Sequence, residues 1–262
     1  MKISTWNVNS VNARIEHLIN FIKKDQSDIY FLQELKCTND NFPYKQIEEV
    51  GYNSYVNGQK AWNGVAILSK KPLKIINNKI PTYLEDTNSR FMEAEIKINS
   101  IKRKIKLFNI YLPNGNPIET EKFDYKINWM QKFNKYILKL SQDNQPIIVG
   151  GDFNVIPSDD DVYSPENYKN DACAHPKTRK LFRELINSGL TDVVKYFVKG
   201  KTNWTFWGYR GGGWQKGNGL RIDHFLTSPE ITDLINSVNI NRTPRGWEKA
   251  SDHTPVQLEI NN

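Results

Sequence analysis

The sequence predicts an α/β fold of two packed β-sheets covered by helices, and three observations lead to this prediction. Short β-branched and aromatic runs recur between turn residues, as strands do. Apolar residues recur at helical spacing over residues 11–24 and 119–140. Polar residues close several strands, which is typical of α/β folds that bind ligands at strand ends. No linker or low-complexity tract interrupts the 262 residues, so we expect one domain over residues 1–262.

The composition favours a polyanionic partner and a reducing compartment. The net charge is +7 with a pI near 9.1, and aromatic residues make up 12% of the chain. Excess positive charge favours binding to nucleic acid, although a merely soluble basic protein is the simpler alternative. Cys37 and Cys173 are the only cysteines and lie in no metal-binding spacing, so we expect free thiols and a cytoplasmic location. No apolar run is long enough to span a bilayer, and we expect no membrane association.

The first half of the chain begins with a strand–helix–strand unit. A strand over residues 2–6 ends at Asn7, the amphipathic helix 11–24 follows, and the buried strand 28–33 ends at Glu34. Glu34 is thus a carboxylate at the end of a core strand, although an acid at a helix start is an alternative interpretation. Five further strands are predicted in order: residues 52–57, 63–69, 73–77, 90–98 and 104–112.

The segment 146–154 is the most informative stretch of the sequence. Its apolar residues behind a proline predict a strand buried on both faces, and two glycines mark the strand end. Asp152 and Asn154 follow two residues apart, so in an extended chain their side chains would point to one spot. A turn is the alternative for this Gly-Gly-Asp-x-Asn pattern. A buried acid at a strand end is costly unless it binds a ligand or takes part in catalysis.

The second half combines a loop, a helix and an aromatic segment. Residues 155–175 are predicted to be an acidic loop that lies mostly on the surface, and residues 176–187 a helix that ends before Gly189. Residues 203–223 mix tryptophans, arginines and glycines, which suits base stacking and phosphate contact, with a glycine hairpin over core tryptophans as the alternative. Residues 251–255 introduce a last strand over residues 256–260.

The ordered set of motifs resembles the exonuclease III family of apurinic/apyrimidinic endonucleases, within the deoxyribonuclease-I-like phosphoesterase fold. In chain order the motifs are TWNVN (5–9), LQELK (32–36), NGVAIL (63–68), NIYLPNG (109–115), GGDFN (150–154), TFWGYR (205–210), LRID (220–223) and SDHTP (251–255). They cover nearly the whole chain. Each motif alone is a modest signal, whereas the ordered set is specific. Asn9 stands where some members of the family carry an aspartate, and we expect this difference to alter metal affinity.

The resemblance implies a four-layer αββα sandwich and Mg²⁺-dependent cleavage of double-stranded DNA 5′ to abasic sites. Mn²⁺ is an expected substitute for Mg²⁺, and the resemblance also implies 3′–5′ digestion and removal of blocked 3′ ends. We expect a monomer. The catalytic candidates are Tyr111, Asp152, Asn154, Asp223 and His253. The metal-binding candidates are Asn7, Glu34, Asp152, Asn154, Asp252 and His253. The DNA-binding candidates are Arg90, Asn114, Phe206, Trp207, Arg210, Leu220, Arg221 and Ile222.

Chemistry assigns a role to each of the principal candidates. Phosphodiester hydrolysis needs an activated water and neutralisation of phosphoryl charge. We expect Asp152 to be the general base and Glu34, beside Asn7, to be the metal anchor. Adjacent strand residues face opposite ways, so Asp223 is predicted to pair with His253 rather than with His224. Such a pair keeps the histidine cationic.

Two other functions remain open at this stage. One is a phosphoesterase of the same fold that acts on inositol phosphates or sphingolipid, which the basic charge and the aromatic segment disfavour. The other is a DNA-binding module that has lost catalysis, which would show erosion of the acidic residues. Each predicted acid is present in the sequence.

Overall fold

The computed structural model describes residues 1–200 and 202–261, which form twelve strands and seven helices. The strands are β1 (Lys2–Asn7), β2 (Ile29–Gln33), β3 (Asn53–Asn57), β4 (Val65–Ser69), β5 (Lys74–Asn77), β6 (Phe91–Ile96), β7 (Ile105–Tyr111), β8 (Ile147–Asp152), β9 (Thr191–Asp192), β10 (Asp223–Thr227), β11 (Ile235–Ile240) and β12 (Val256–Ile260). The helices are α1 (Ile15–Asp25), α2 (Tyr44–Glu49), α3 (Glu121–Gln142), α4 (Pro176–Asn187), α5 (Val193–Phe197), α6 (Gly213–Lys216) and α7 (Pro229–Thr232).

The strands form two mixed six-stranded sheets. The first sheet has the order β11-β12-β1-β2-β4-β3, and the second has the order β5-β6-β7-β8-β10-β9. Each sheet contains one parallel pair at its centre, β1 with β2 and β7 with β8, and its other pairs are antiparallel. These four parallel strands are buried at nearly every position, because both of their faces are covered.

Three apolar clusters divide the molecule into four layers. One cluster lies between the two sheets and includes Ile3, Phe31 and Phe225. A second joins the first sheet to α1, and a third joins the second sheet to α3 and α4. The order is therefore helix, sheet, sheet, helix, which confirms the predicted αββα sandwich. No helix in the part of the chain that is described has the length and apolar character needed to cross a membrane.

Most predicted elements are confirmed with shifted ends, and some predictions are wrong. The first helix begins at Ile15, because residues 11–14 form a turn. The segment 155–175 lies mostly at the surface, as predicted, although Val155, Ile156 and Asp161 are buried within it. The edge strands β9 and β11 were not predicted. β9 has two residues, and β11 is polar and half exposed.

Candidate active site

The candidate active site lies where the ends of the central strands of both sheets meet. Asn7 ends β1, and Glu34 directly follows β2 in the first sheet. In the second sheet, Tyr111 pairs with Asp152, and Asp152 pairs with Asp223 on the antiparallel neighbour. The strand register therefore places Tyr111, Asp152 and Asp223 side by side in one row across β7, β8 and β10. Sheet packing then brings this row against Asn7 and Glu34.

Strained backbone conformations cluster at these strand ends. Glu34 has φ of 52°, and Asn9 and Asn154 each have φ of 47°. Positive φ is uncommon for residues other than glycine, and asparagine adopts it more readily than glutamate does. Such conformations persist where the surrounding structure imposes them, and they concentrate at functional sites.

His253 is held between two carboxylates. Its Nδ1 lies 2.9 Å from Asp223 Oδ2, and its Nε2 lies 3.7 Å from Asp152 Oδ2. Thr205 Oγ1 donates a 2.6 Å hydrogen bond to Asp223 and fixes that carboxylate. Burial alone would lower the pKa of His253, but the charges of Asp223 and Asp152 raise it to about 10. The histidine is thus cationic at neutral pH, and its partner is Asp223, as the strand alternation predicts.

Glu34 is fixed by three donors. Asn7 Nδ2 donates to Glu34 Oε1 at 2.9 Å, and Tyr111 donates to the same oxygen at 2.8 Å. Lys36 Nζ lies 2.9 Å from Oε2 and also donates to Asn9 Oδ1 at 2.5 Å. Burial would raise the pKa of Glu34, but Lys36 and the hydrogen bond from Asn7 lower it overall. Glu34 is therefore an anionic side chain at neutral pH.

Asp152 has the properties of a general base. Its carboxylate accepts hydrogen bonds from Asn7 Nδ2 at 3.0 Å and from the backbone N–H of Asn154 at 2.9 Å. Burial raises the pKa of Asp152 above its usual value; the charge of His253 opposes this shift, and the charges of Asp223 and Glu34 add to it. A carboxylate whose pKa is raised toward the working pH can both accept and release a proton.

Asn154 enters the site differently from the prediction. Strand β8 ends at Asp152, so Asn154 is not extended, and its side chain is instead fixed by two hydrogen bonds. Asn154 Nδ2 donates to Leu112 O at 2.9 Å, and Asn114 Nδ2 donates to Asn154 Oδ1 at 3.2 Å. Asp152 and Asn154 nevertheless line the same cleft, together with Asn114.

An apolar niche adjoins the charged residues in an open cleft of about 790 Å³. Phe206, Leu220 and Ile222 line this cleft, and the Phe206 ring packs edge-on against His253 with the centroids 4.9 Å apart. Trp207 is 2% exposed and packs against Trp214 behind the niche. The glycine-rich segment is wound into a 3₁₀ turn and α6 rather than into a hairpin, and base stacking or phosphate contact by this segment stays a prediction.

One predicted DNA contact is wrong. Arg221 is 1% exposed, and its guanidinium pairs with Asp161 at 2.8 Å and with Asp192 at 2.7 Å. The guanidinium is therefore enclosed inside the fold, and the side chain cannot reach a phosphate. Arg210 is exposed and lines the cleft. Arg90 lies on the ring of Tyr111, 4.7 Å from its centroid, and donates to Tyr111 O at 3.2 Å.

Several residues of the cleft were not found from the sequence. Asp252 was predicted, but the hydrogen bond that it accepts from Asn9 Nδ2 at 2.9 Å was not. The hydrogen bond from Asn9 Nδ2 to the hydroxyl of Tyr209 at 3.1 Å and the ion pair of Lys36 with Glu34 were not predicted either. Other unpredicted members of the cleft wall include Tyr163, Tyr168, Asp171 and Cys173. Lys36 lies two positions after Glu34 in the sequence, and this spacing could have indicated that the two side chains lie close together. The four residues of the wall have no sequence signal, because they come from the segment predicted as a surface loop.

The donor atoms present fit a hard divalent cation. Oxygen atoms of Glu34 and Asp152 and a ring nitrogen of His253 lie within 4.8 Å of one another. Carboxylate oxygens suit a cation that retains water ligands, whereas a protonated histidine offers no lone pair, so the two carboxylates are the better ligands. Asn7 turns its amide nitrogen toward both carboxylates and therefore orients them. Ligation by Asn7, Asn154 and Asp252 stays a prediction.

The geometry agrees with the comparison to known proteins. Residues 4–253 match the model of the endonuclease/exonuclease/phosphatase family. The chain belongs to this family. It is 33% identical to the exodeoxyribonuclease III of Haemophilus influenzae over 99% of this chain and 100% of that protein. A 3′–5′ exonuclease from Neisseria meningitidis superimposes with a TM-score of 0.92 at 32% identity, covering both chains fully. An AP endonuclease from Archaeoglobus fulgidus superimposes with a TM-score of 0.92 at 30% identity, also over both full chains.

The full-length identity to exodeoxyribonuclease III, together with the family match, gives the class of the enzyme. The chain is a hydrolytic nuclease of the exonuclease III group, whose members are DNA repair enzymes that depend on a metal ion. The recognition of the family from the ordered motifs is thus confirmed.

Proposed function

We propose that this nuclease cleaves the DNA backbone on the 5′ side of abasic sites, with Mg²⁺ as its cofactor and Mn²⁺ as a substitute. The single observation that carries the proposal is the position of the apolar niche, formed by Phe206, Leu220 and Ile222, directly beside the pair of His253 and Asp152. An abasic sugar lacks its base, so a small apolar niche admits it and excludes an intact nucleotide.

The residues of the site divide the reaction among them. Asp152 accepts a proton from the attacking water, whose oxygen forms the new bond to phosphorus while the bond from phosphorus to the 3′ oxygen breaks. His253 donates to a phosphate oxygen and offsets its negative charge. Asn154 holds the water or a phosphate oxygen. The 3′ oxygen leaves as an alkoxide and takes a proton from solvent water, so the products are a 3′-hydroxyl and a 5′-phosphate on the abasic sugar.

Tyr111 and Glu34 prepare the opposite side of the site. Burial raises the pKa of Tyr111 well above its usual value, and the charge of Glu34 raises it further, so the phenol keeps its proton. Tyr111 donates this proton to Glu34 in the structure and would turn it to the phosphate when substrate is bound. Glu34 and Asp152 would hold the cation, with Asp252 contributing directly or through water. When bound, Mg²⁺ supplies positive charge that offsets the negative charge developing on the phosphoryl group.

The relatives support a broader activity toward 3′ ends. The Neisseria protein is described as a 3′–5′ exonuclease, and another structure at a TM-score of 0.92 is described as a 3′ phosphatase bound to a product DNA hairpin. The same charged residues would serve a terminal phosphate or nucleotide. We therefore propose 3′–5′ digestion and 3′-end cleaning as accompanying activities, carried out by a monomer in base excision repair.

A nicking assay tests the proposal. The substrates are a duplex with one abasic site, the intact duplex, a primer with a 3′-phosphate and an inositol phosphate, each with Mg²⁺ and with EDTA. We expect Mg²⁺-dependent incision 5′ to the abasic site that leaves a 3′-hydroxyl. Hydrolysis of the inositol phosphate alone would instead indicate the rival phosphoesterase, and binding without incision would indicate an inactive DNA-binding module.

A further inference from the structure

A lysine lies buried on the apolar side of the long helix α3. Lys126 is 0% exposed and shares its helix stripe with Phe123 and Met130, which are three residues before it and four residues after it. Burial of an ammonium group costs several kcal/mol unless polar groups compensate. Within residues 1–200 and 202–261 no carboxylate forms an ion pair with it. A charge retained at this cost needs another explanation.

The ammonium group of Lys126 joins the two segments that carry the amide side chains of the cleft. Its Nζ donates to Pro113 O at 2.9 Å and to Asn154 O at 2.7 Å. Pro113 directly precedes Asn114, so each carbonyl belongs to, or adjoins, a residue whose amide lines the cleft. These two segments follow the parallel strands β7 and β8. The side chains then meet, because Asn114 Nδ2 donates to Asn154 Oδ1 at 3.2 Å.

The backbone wraps closely around the stem of this lysine. Gly115 has φ of 85°, and a Cβ atom added there would lie 2.5 Å from Lys126 Cδ and 3.0 Å from Lys126 Cβ. A methyl group at position 115 would therefore have to displace either the lysine or the turn that carries Asn114. The stem and the turn thus determine each other's position.

We propose that Lys126 is a positioning residue for this nuclease, which holds the backbones of Asn114 and Asn154 so that their paired amides meet the scissile phosphate. The inference rests on the function proposed above for the same cleft. Lys126 touches no substrate, because it is fully buried beneath the two segments. Its effect is on geometry, and a displacement of about 1 Å at reacting groups costs on the order of 100-fold in rate.

Lys126→Met tests the proposal, with Met130→Ala as the control. Methionine keeps the apolar stem and removes the donors, whereas Met130→Ala removes buried volume from the same helix face one turn away. For incision at an abasic site, we expect kcat of Lys126→Met to fall about 30- to 100-fold with KM within about threefold. Met130→Ala is expected to lose stability and keep its kcat within about threefold. Lys126→Arg, which restores donors, should recover most of the loss in kcat.

A pair of glycine variants keeps the test decisive if Lys126→Met does not fold. Gly115→Ala and Gly189→Ala both place alanine at positive φ, 85° and 102°, but only the first meets Lys126, since nothing lies within 4 Å of a Cβ at position 189. We expect kcat to fall at least tenfold in Gly115→Ala and to be unchanged in Gly189→Ala. Equal kcat values in the two variants would overturn the proposal, as would a kcat of Lys126→Met equal to that of Met130→Ala.

A spectroscopic measurement separates this inference from the proposed function. The side-chain amide ¹H–¹⁵N resonances of Asn114 and Asn154 should shift in Lys126→Met and not in Met130→Ala, with no substrate present. If the wild-type enzyme fails to incise abasic DNA while these shifts occur, the proposed function fails and the positioning role stands. Unshifted resonances in Lys126→Met would contradict the positioning role whatever the activity of the wild type.

Discussion

Two buried charged clusters lie on opposite faces of β10 and differ in what they do. Asp223 and His224 are neighbours in this strand and point to opposite faces. On one face, Asp223 pairs with His253 in the cleft. On the other face, His224 Nδ1 lies 2.8 Å from the guanidinium of Arg221, and its Nε2 lies 3.0 Å from Val155 O. Both clusters are combinations of histidine and aspartate, and both are buried.

The charge of the nearest partner decides the protonation of each histidine. Acidic neighbours raise the pKa of His253 to about 10, whereas burial and the guanidinium of Arg221 lower the pKa of His224 to about 4. A neutral His224 with its proton on Nε2 can donate to Val155 O and accept from Arg221. The cleft therefore contains a cation that can meet a phosphate, while the closed cluster satisfies all of its charges internally. Similar residues therefore form a reactive site only where a charged group of the cluster faces an open cleft and is free to meet a substrate.

Matched aspartate variants should separate the two clusters most strongly. Asp152→Asn removes the base, and we expect kcat for incision at an abasic site to fall about 10²- to 10⁴-fold with DNA binding nearly unchanged. Asp161→Asn in the closed cluster should lower stability and leave the kcat of the folded protein nearly unchanged. Steady-state nicking measures kcat, and fluorescence anisotropy measures DNA binding. A parallel loss of binding and turnover in Asp152→Asn would assign it a structural role instead.

Arginine variants extend the comparison to stability. Arg221→Met leaves the buried Asp161 with Lys195 as its remaining ion-pair partner and removes the guanidinium that pairs with Asp192, so we expect a loss of about 3 kcal/mol in the free energy of unfolding. Arg210→Met should leave stability unchanged and lower the slope of DNA affinity with salt by about 1, as loss of one phosphate contact does. Denaturant unfolding and salt titrations check both. A lowered salt slope in folded Arg221→Met would restore its predicted contact with DNA.

Acid should act on the closed cluster through His224. The pKa of His224 is depressed from 6.5 to about 4 in the fold, so the unfolded chain binds a proton that the folded chain does not between these values. Stability from this group is present above pH 6.5 and is lost as pH falls toward 4, by about 2–3 kcal/mol. His224→Asn should lack this component when unfolding curves at pH 7 and pH 4 are compared. Parallel pH profiles for wild type and variant would show that His224 is not neutral.

The niche should contribute the smallest effect of the four. Phe206→Ala widens the space beside His253, and we expect the preference for abasic over intact duplex to fall about tenfold in kcat/KM. Competition between the two labelled duplexes in one reaction measures this ratio directly. A ratio equal to that of the wild type would mean that the niche does not select the sugar.

The parts predicted correctly from sequence are those fixed by local patterns. Buried strands ending in Glu34 and Asp152 have a visible apolar run and a visible acid, and strand alternation alone assigns Asp223 to His253. The pairing of β1 with β12, which joins strands from the two ends of the chain, was not predicted, because no local pattern links strands so far apart in the sequence.

The parts that the sequence did not predict depend on distant contacts. In the sequence Arg221 looks like a surface arginine. In the fold it is enclosed by Asp161, which is 60 residues away, and by Asp192. Lys126 occupies a position on an apolar helical stripe, which was a signal, but its two carbonyl partners come from separate segments. β11 was missed because it is an edge strand whose asparagine and serine residues face solvent.

The most direct test of the account compares the two histidines of these clusters in one assay. His253→Asn and His224→Asn are assayed for Mg²⁺-dependent incision at an abasic site, at a pH and temperature where unfolding curves show both variants to be folded. We predict that kcat falls at least about 100-fold in His253→Asn and changes less than about threefold in His224→Asn. Equal losses in the two variants would contradict the assignment of the reactive cation to the cleft side of β10.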